Sequence, residues 1–285
     1  MNELFDERLA GFAMLALASL LAGAVNAIAG GGTILTFPVL GAILPADPTR
    51  LVTANATSTI GLWPASLVAA WAYRENRDGL PSWARWLVVP SGIGAMLGTL
   101  LVLRLPPEWF DTLVPWLILL AAVLFSLQPQ VARWVRGGDS TGPPTPPSGE
   151  PASAAQAPSA RLALACGLQL VVGIYGGYFG AGIGILMLAV LAVLGLGDIH
   201  RLNAVKNSLA TVVNGVATAV FVAGSCAGGH NVSWPHAGVM AVAGMAGSLG
   251  ASRLARRLPP VLMRKIVAVI GFGLAGYYFW QQWLS

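Results

Sequence analysis

Long apolar runs broken by short polar stretches mark ten segments along the chain, near 9–29, 33–44, 53–73, 83–103, 109–128, 161–179, 182–196, 203–223, 237–254 and 262–284. A hydrocarbon core about 30 Å thick needs about 20 helical residues to cross it. The pattern therefore predicts an all-α polytopic membrane protein with about 8–10 transmembrane segments. Two segments are too short. Thr33–Leu44 would make a helix of roughly 18 Å, and Ile183–Leu196 is similarly brief. Each follows a glycine cluster, and the pattern leaves open whether they span or re-enter.

Between 137 and 160 the chain reads GGDSTGPPTPPSGEPASAAQAPSA. Such a stretch has too few large apolar residues to pack, and it is expected to be a disordered cytoplasmic linker. It separates a first transmembrane repeat, 1–136, from a second, 161–285. The two halves match at a shift of 150. AVNAIAGGGTILTFP falls over IYGGYFGAGIGILML, with Gly30 over Gly180 and Gly32 over Gly182, and TSTIGLWPAS falls over NSLATVVNGV. RLPP occurs at Arg104–Pro107 and again at Arg257–Pro260. Matches in this order and spacing point to an internal repeat.

Composition agrees with the pattern. Of 285 residues, 56% are hydrophobic and 9% charged, and the mean hydropathy is +0.71. Soluble domains carry roughly 25% charged residues. A pI of 9.7 could suggest nucleic acid. The basic residues sit in short loops between apolar spans, however, so the lipid bilayer is the expected partner and nucleic acid is not. Cys166 and Cys226 match no metal spacing and require no disulfide. The N-terminus, MNELFDERLAGF, is acidic where a signal peptide would be basic, so the first span reads as a true membrane helix.

Charge sets an orientation. With the N-terminus outside and ten crossings, the inner loops hold Arg74, Arg77, Arg85, Arg133, Arg136, Arg161, Arg201, Arg253, Arg256, Arg257, Arg264 and Lys265, and the outer side only Arg8, Arg50 and Arg104. The positive-inside rule selects this arrangement, with both termini periplasmic if the membrane is a bacterial inner membrane. Five crossings per half invert the second half relative to the first, an architecture typical of secondary transporters. Trp71 with Tyr73, Trp83 with Trp86, Trp109, Trp234, and Trp280 with Trp283 fall at segment ends, where they would anchor at the interface.

A helix broken within a bilayer leaves backbone groups that lipid cannot satisfy, so a break must line a cavity or be buried in protein. A free helix start offers oriented N–H donors and partial positive charge, which suit an anion. Gly30, Gly31, Gly32 and Thr33 in one half, and Gly180 and Gly182 in the other, would create two such starts. The alternative is that small residues serve close helix packing, as Gly173, Gly176, Gly177 and Gly180 could.

The eleven acidic residues are assigned to loops or termini, and His200, His230 and His236 to loops. The ionisable charge left within a segment is Lys206. It would face a cavity and meet substrate, or snorkel to the nearby cytoplasmic end. Polar groups that could join it are Asn207, Ser208 and Asn214, with Asn55, Thr57 and Ser58 in the first half, and Asn26 and Tyr175 on the segments leading into the breaks. Each could instead satisfy a neighbouring backbone. Spans without carboxylate or histidine argue against a membrane enzyme, and for an anion carrier that needs no coupling proton.

The stretches AGAVNAIAGGGTILTFPVL, GIYGGYFGAGIGILML and LNAVKNSLATVVNGVATAVF together resemble the TauE/SafE sulfite exporter family. The resemblance covers nearly the whole chain except the linker, which departs from the family pattern. It implies a secondary transporter that exports a small sulfur-containing anion, such as sulfite, sulfoacetate or another organosulfonate, across a bacterial inner membrane. No cofactor and no metal are implied, and a homodimer is compatible. The alternative is a permease for another small anion, or one working with a separate ATPase subunit, since the chain has no GxxxxGK[ST] loop.

Overall fold

A computed structural model describes residues 2–28, 30–72, 82–137, 159–193, 199–228, 232–254 and 260–284. Among the described residues the chain is all-α, with ten helices and no strand. They are α1 (Asn2–Ile28), α2 (Thr33–Ile43), α3 (Arg50–Ala72), α4 (Val88–Arg104, preceded by a 3-10 turn at Ser82–Leu87), α5 (Pro107–Gly137), α6 (Ser159–Tyr178), α7 (Ile183–Val193), α8 (Ile199–Cys226), α9 (Trp234–Leu254) and α10 (Pro260–Leu284). Each apolar segment became one helix. The stretches Glu7–Ile28, Ala84–Arg104, Pro107–Leu127 and Leu202–Cys226 are long and apolar enough to cross a membrane.

The short helices are central. Ile34, Leu35, Phe37 and Leu40 of α2 are buried, as are Ile183, Ile185, Met187, Leu188, Val190 and Leu191 of α7. Leu17 of α1, Val89 of α4, Trp116 of α5, Val171 of α6, Val242 of α9 and Val269 of α10 point outward. In lipid there is no drive to hide apolar side chains, so large ones can face out while small ones pack between helices. Trp71, Trp86, Trp109, Trp234, Trp280 and Trp283 are all exposed at or near helix ends. Tyr73 and the Trp83 side chain lie outside the described residues.

Helix pairing repeats across the halves. α1 packs on α9 as α6 packs on α4, α3 on α9 as α8 on α4, and α5 on α7 as α10 on α2, while α3 meets α8 and α5 meets α10. Exchanging each helix with the one five places on leaves these pairings unchanged. Glycines permit the closest of these contacts. A Cβ on Gly23 would strike the Gly244 carbonyl, and one on Gly177 would strike the Ala95 carbonyl. The packing role considered for Gly173 and Gly177 is thus real, and it lies in the α4–α6 contact.

The helices outrun the apolar segments, and this corrects the charge census. Glu108 and Asp111 lie in α5, His200 in α8 and His236 in α9, not in loops, and the N-terminal Glu7 is helical as part of α1. A helix continues past the hydrocarbon core wherever its backbone bonds continue, so polar ends remain helical. Asp111 lies inside the membrane-compatible stretch Pro107–Leu127, and its Oδ1 is buried without a hydrogen-bond partner. Absence of a carboxylate therefore no longer argues against proton coupling.

α5 reaches Gly137 and α6 begins at Ser159, so helix enters the expected linker at both ends; residues 138–158 and His230 lie outside the described residues. So do Arg74, Arg77, Arg256 and Arg257, and the side chains of Arg133, Arg136, Arg161, Arg201, Arg253, Arg264 and Lys265.

Candidate functional site

The two breaks are built alike. α1 ends at Ile28 and α2 begins at Thr33; α6 ends at Tyr178 and α7 begins at Ile183. Every one of these boundaries recurs 150 positions on. Gly30 and Gly31 have φ of +78° and +99°, and Gly180 and Gly182 have +81° and +75°. L-residues with side chains rarely adopt such values, which is why the chain places glycine there. The hydrogen bonds repeat as well. Gly30 N–H donates to Val25 O at 3.2 Å and Gly180 N–H to Tyr175 O at 3.3 Å, while Leu35 N–H meets Gly32 O and Ile185 N–H meets Gly182 O, both at 3.0 Å.

The breaks touch each other through bare backbone. A Cβ on Gly30 would lie 2.7 Å from Gly184 Cα, and one on Gly31 would strike the Gly182 nitrogen. Gly32 has an ordinary φ of −61° at the start of α2, and space beside it is closed by the Ala22 carbonyl. The buried Thr33 lies beside Gly180, with Oγ1 3.8 Å from where a Cβ would stand.

Lys206 belongs to the first break. Its side chain is 0% exposed, and Nζ donates to Ile28 O at 3.2 Å. It does not snorkel. The amine sits on the last carbonyl of α1, the negative end of that helix. The neighbouring Asn207 is buried, and its Nδ2 has no partner.

A polar hub adjoins this point. Ser66 Oγ accepts from Asn26 Nδ2 at 2.8 Å and from Asn214 Nδ2 at 3.0 Å, and donates to Leu62 O at 3.3 Å. Asn26 Oδ1 accepts from Gly31 N–H at 3.2 Å. Thr211 Oγ1 lies within hydrogen-bond reach of Ser66 O at 3.0 Å and Asn207 O at 2.8 Å. Side chains from α1, α3 and α8 thus join around one serine.

Asn55 and Tyr175 belong to the second break, while Ser58 meets α2, the helix that follows the first. Asn55 Nδ2 donates to Tyr178 O at 2.9 Å. Ser58 Oγ lies 2.6 Å from Thr36 Oγ1. Tyr175 OH donates to Ala181 O at 2.7 Å, inside the break. Beside it stand packed rings, with Phe37 5.2 Å from Phe179 and Phe110 5.5 Å from Tyr178. Two candidates turn elsewhere. Thr57 Oγ1 accepts from Ser233 N–H at the start of α9, and Ser208 Oγ donates to Ala204 O of its own helix.

Sequence reasoning missed Ser66, Thr36 and Thr211. Ser66 falls in the repeated stretch TSTIGLWPAS, but no local spacing indicates that Asn26 and Asn214 reach it.

Residues 15–278 match the family model described as Sulfite exporter TauE/SafE. The chain belongs to the TauE/SafE family. A relative of this TauE/SafE chain from Sinorhizobium sp., described as "Probable membrane transporter protein ORF9", is 31% identical over 123 residues; the match covers 42% of this chain and 44% of that relative. No solved structure matches the TauE/SafE chain.

Proposed function

We propose that this TauE/SafE member is a secondary transporter, not an enzyme, that exports a small sulfur-containing anion across a bacterial inner membrane by alternating access. Sulfite, sulfoacetate and other organosulfonates are the substrate class. One observation carries the reading: Lys206 is fully buried in α8, and the next residue, Asn207, is buried with its Nδ2 unpartnered. A buried charge without a counter-charge is costly. A small anion would supply that counter-charge and accept the free N–H.

The family match supports the anion class. The repeated pairing supports two halves of inverted topology, which would rock around the touching breaks. A cytoplasm-negative potential favours outward movement of an anion by about 2.3 kcal/mol per charge per 100 mV. The test is equilibrium binding to the purified protein of sulfite, thiosulfate, sulfoacetate, sulfate and small carboxylates. Saturable binding of a sulfur anion, weakened at least about tenfold in Lys206→Met, is expected, since about 1.4 kcal/mol of lost interaction suffices for that factor. Binding of none of the sulfur anions would overturn the reading.

A further inference from the structure

The breaks share one frame but are finished differently. At the first, Ile28 O, the last carbonyl of α1, receives Lys206 Nζ at 3.2 Å. At the second, the carbonyl 150 positions on, Tyr178 O, receives Asn55 Nδ2 at 2.9 Å. Lys206 stands on α8 and Asn55 on α3, the helices that exchange under the repeat, and position 206 falls over 56, next to Asn55. The same negative helix end thus meets a lysine amine in one half and a side-chain amide in the other.

Acceptors are in excess along α3, between the second break and the first turn of α2. Asn55 is 1% exposed, its Nδ2 is engaged, and its Oδ1 has no partner. One turn on, along the same face of α3, Ser58 Oγ meets Thr36 Oγ1 at 2.6 Å. Thr36 reaches Thr33 O only at 3.4 Å. Of the two hydroxyl protons, one lies between the oxygens, so lone pairs remain. The group is buried, oxygen-only and uncharged. Hard cations take oxygen ligands, and broken transport helices place such ions at half-helix C-terminal ends. A divalent ion would call for carboxylates, and these side chains include none.

We infer that a monovalent inorganic cation, sodium, binds next to the end of α6, held by Asn55 Oδ1 and the Ser58 and Thr36 hydroxyls. This goes beyond the anion reading and does not rest on it, because none of the three ligands is bonded to Lys206, Asn207 or the Ser66 hub. The two sites are nevertheless linked, since Gly30 and Gly31 press on Gly184 and Gly182.

Thermal unfolding of the purified full-length protein, without any candidate substrate, tests it. The midpoint is compared in sodium, potassium and N-methyl-D-glucamine chlorides at equal ionic strength. A saturable rise specific to sodium is expected, as for any ligand that binds only the folded state. Ser58→Ala should abolish the rise, whereas Thr36→Ser, which keeps the hydroxyl, should retain it. Asn55→Leu also removes the donor on Tyr178 O and could unfold for that reason alone, so Ser58→Ala decides. Equal midpoints in all three salts, or a sodium response that Ser58→Ala leaves unchanged, would overturn the proposal and leave the cluster holding water only. Anion binding, measured separately, is untouched by that failure.

Discussion

The Lys206 amine nitrogen lies 3.2 Å from the carbonyl oxygen of Ile28, a residue 178 positions earlier in the chain. This contact ties α8 of the second half to the broken end of α1 in the first. Lys206→Met keeps much of the side-chain volume and removes both the charge and the donor. Ile28 O would lose this donor, at a cost of about 1–3 kcal/mol. Chemical unfolding should register that loss, and anion binding should weaken at least about tenfold. Arg104, exposed at the end of α4, is the control. Arg104→Ala should change neither quantity measurably. Equal, small effects at both positions would remove Lys206 from the site.

Gly31→Ala should be among the most damaging single-methyl additions. Its φ of +99° disfavours a side chain, and the added carbon would collide with the Gly182 backbone, which cannot swing aside as a flexible side chain can. Gly238→Ala is the counter-case. It sits in α9 with open space around its would-be Cβ, so helix propensity should make it neutral or stabilising by up to about 1 kcal/mol. Unfolding midpoints of the two variants, compared in one detergent, should move in opposite directions or differ by several degrees.

Ser66 receives two amides, so Ser66→Ala leaves Asn26 Nδ2 and Asn214 Nδ2 without that acceptor. Hydrogen bonds between membrane helices average about 0.6 kcal/mol in double-mutant cycles. The loss should therefore be about 1–2 kcal/mol for the pair. Asn26→Ala combined with Ser66→Ala should cost less than the sum of the single changes, because they break the same bond. Strict additivity would mean that the hub does not act as a unit.

Topology has its own check. Single cysteines introduced at Asn2 and at Ser285, in a background with Cys166 and Cys226 replaced, should both label from the periplasmic side with a membrane-impermeant thiol reagent. Labelling of either from the cytoplasm would contradict the orientation drawn from arginine placement.

Helix count is legible in the sequence because ten separate apolar runs each have room for one helix. The breaks are legible too, since a glycine triplet followed by an apolar run too short to cross marks an interrupted helix in lipid. Helix ends are less so. Asp111 falls at the edge of the apolar run 109–128 and is assigned to a loop only because it is polar, yet α5 begins four residues earlier at Pro107 and makes it helical. The membership of each break is hardest to read. Asn55 and Ser58 share a face of α3, and Thr57, between them, points away to Ser233; a helix puts positions three apart together and neighbours about 100° apart. That rule is local and could have been applied. The bonds from Asn55 to Tyr178, 123 positions on, and from Asn214 to Ser66, 148 positions back, are set by packing between helices, which no local pattern encodes.

The central claim is that the Lys206 break carries a small sulfur anion down its electrical gradient. The most direct measurement is sulfite efflux from proteoliposomes under an imposed potassium-diffusion potential, interior negative, with equal pH and equal sodium on both sides. The account predicts efflux that rises with the potential in the wild type and falls to the level of protein-free liposomes in Lys206→Met. Efflux indifferent to the potential, or the same in Lys206→Met as in the wild type, would contradict it.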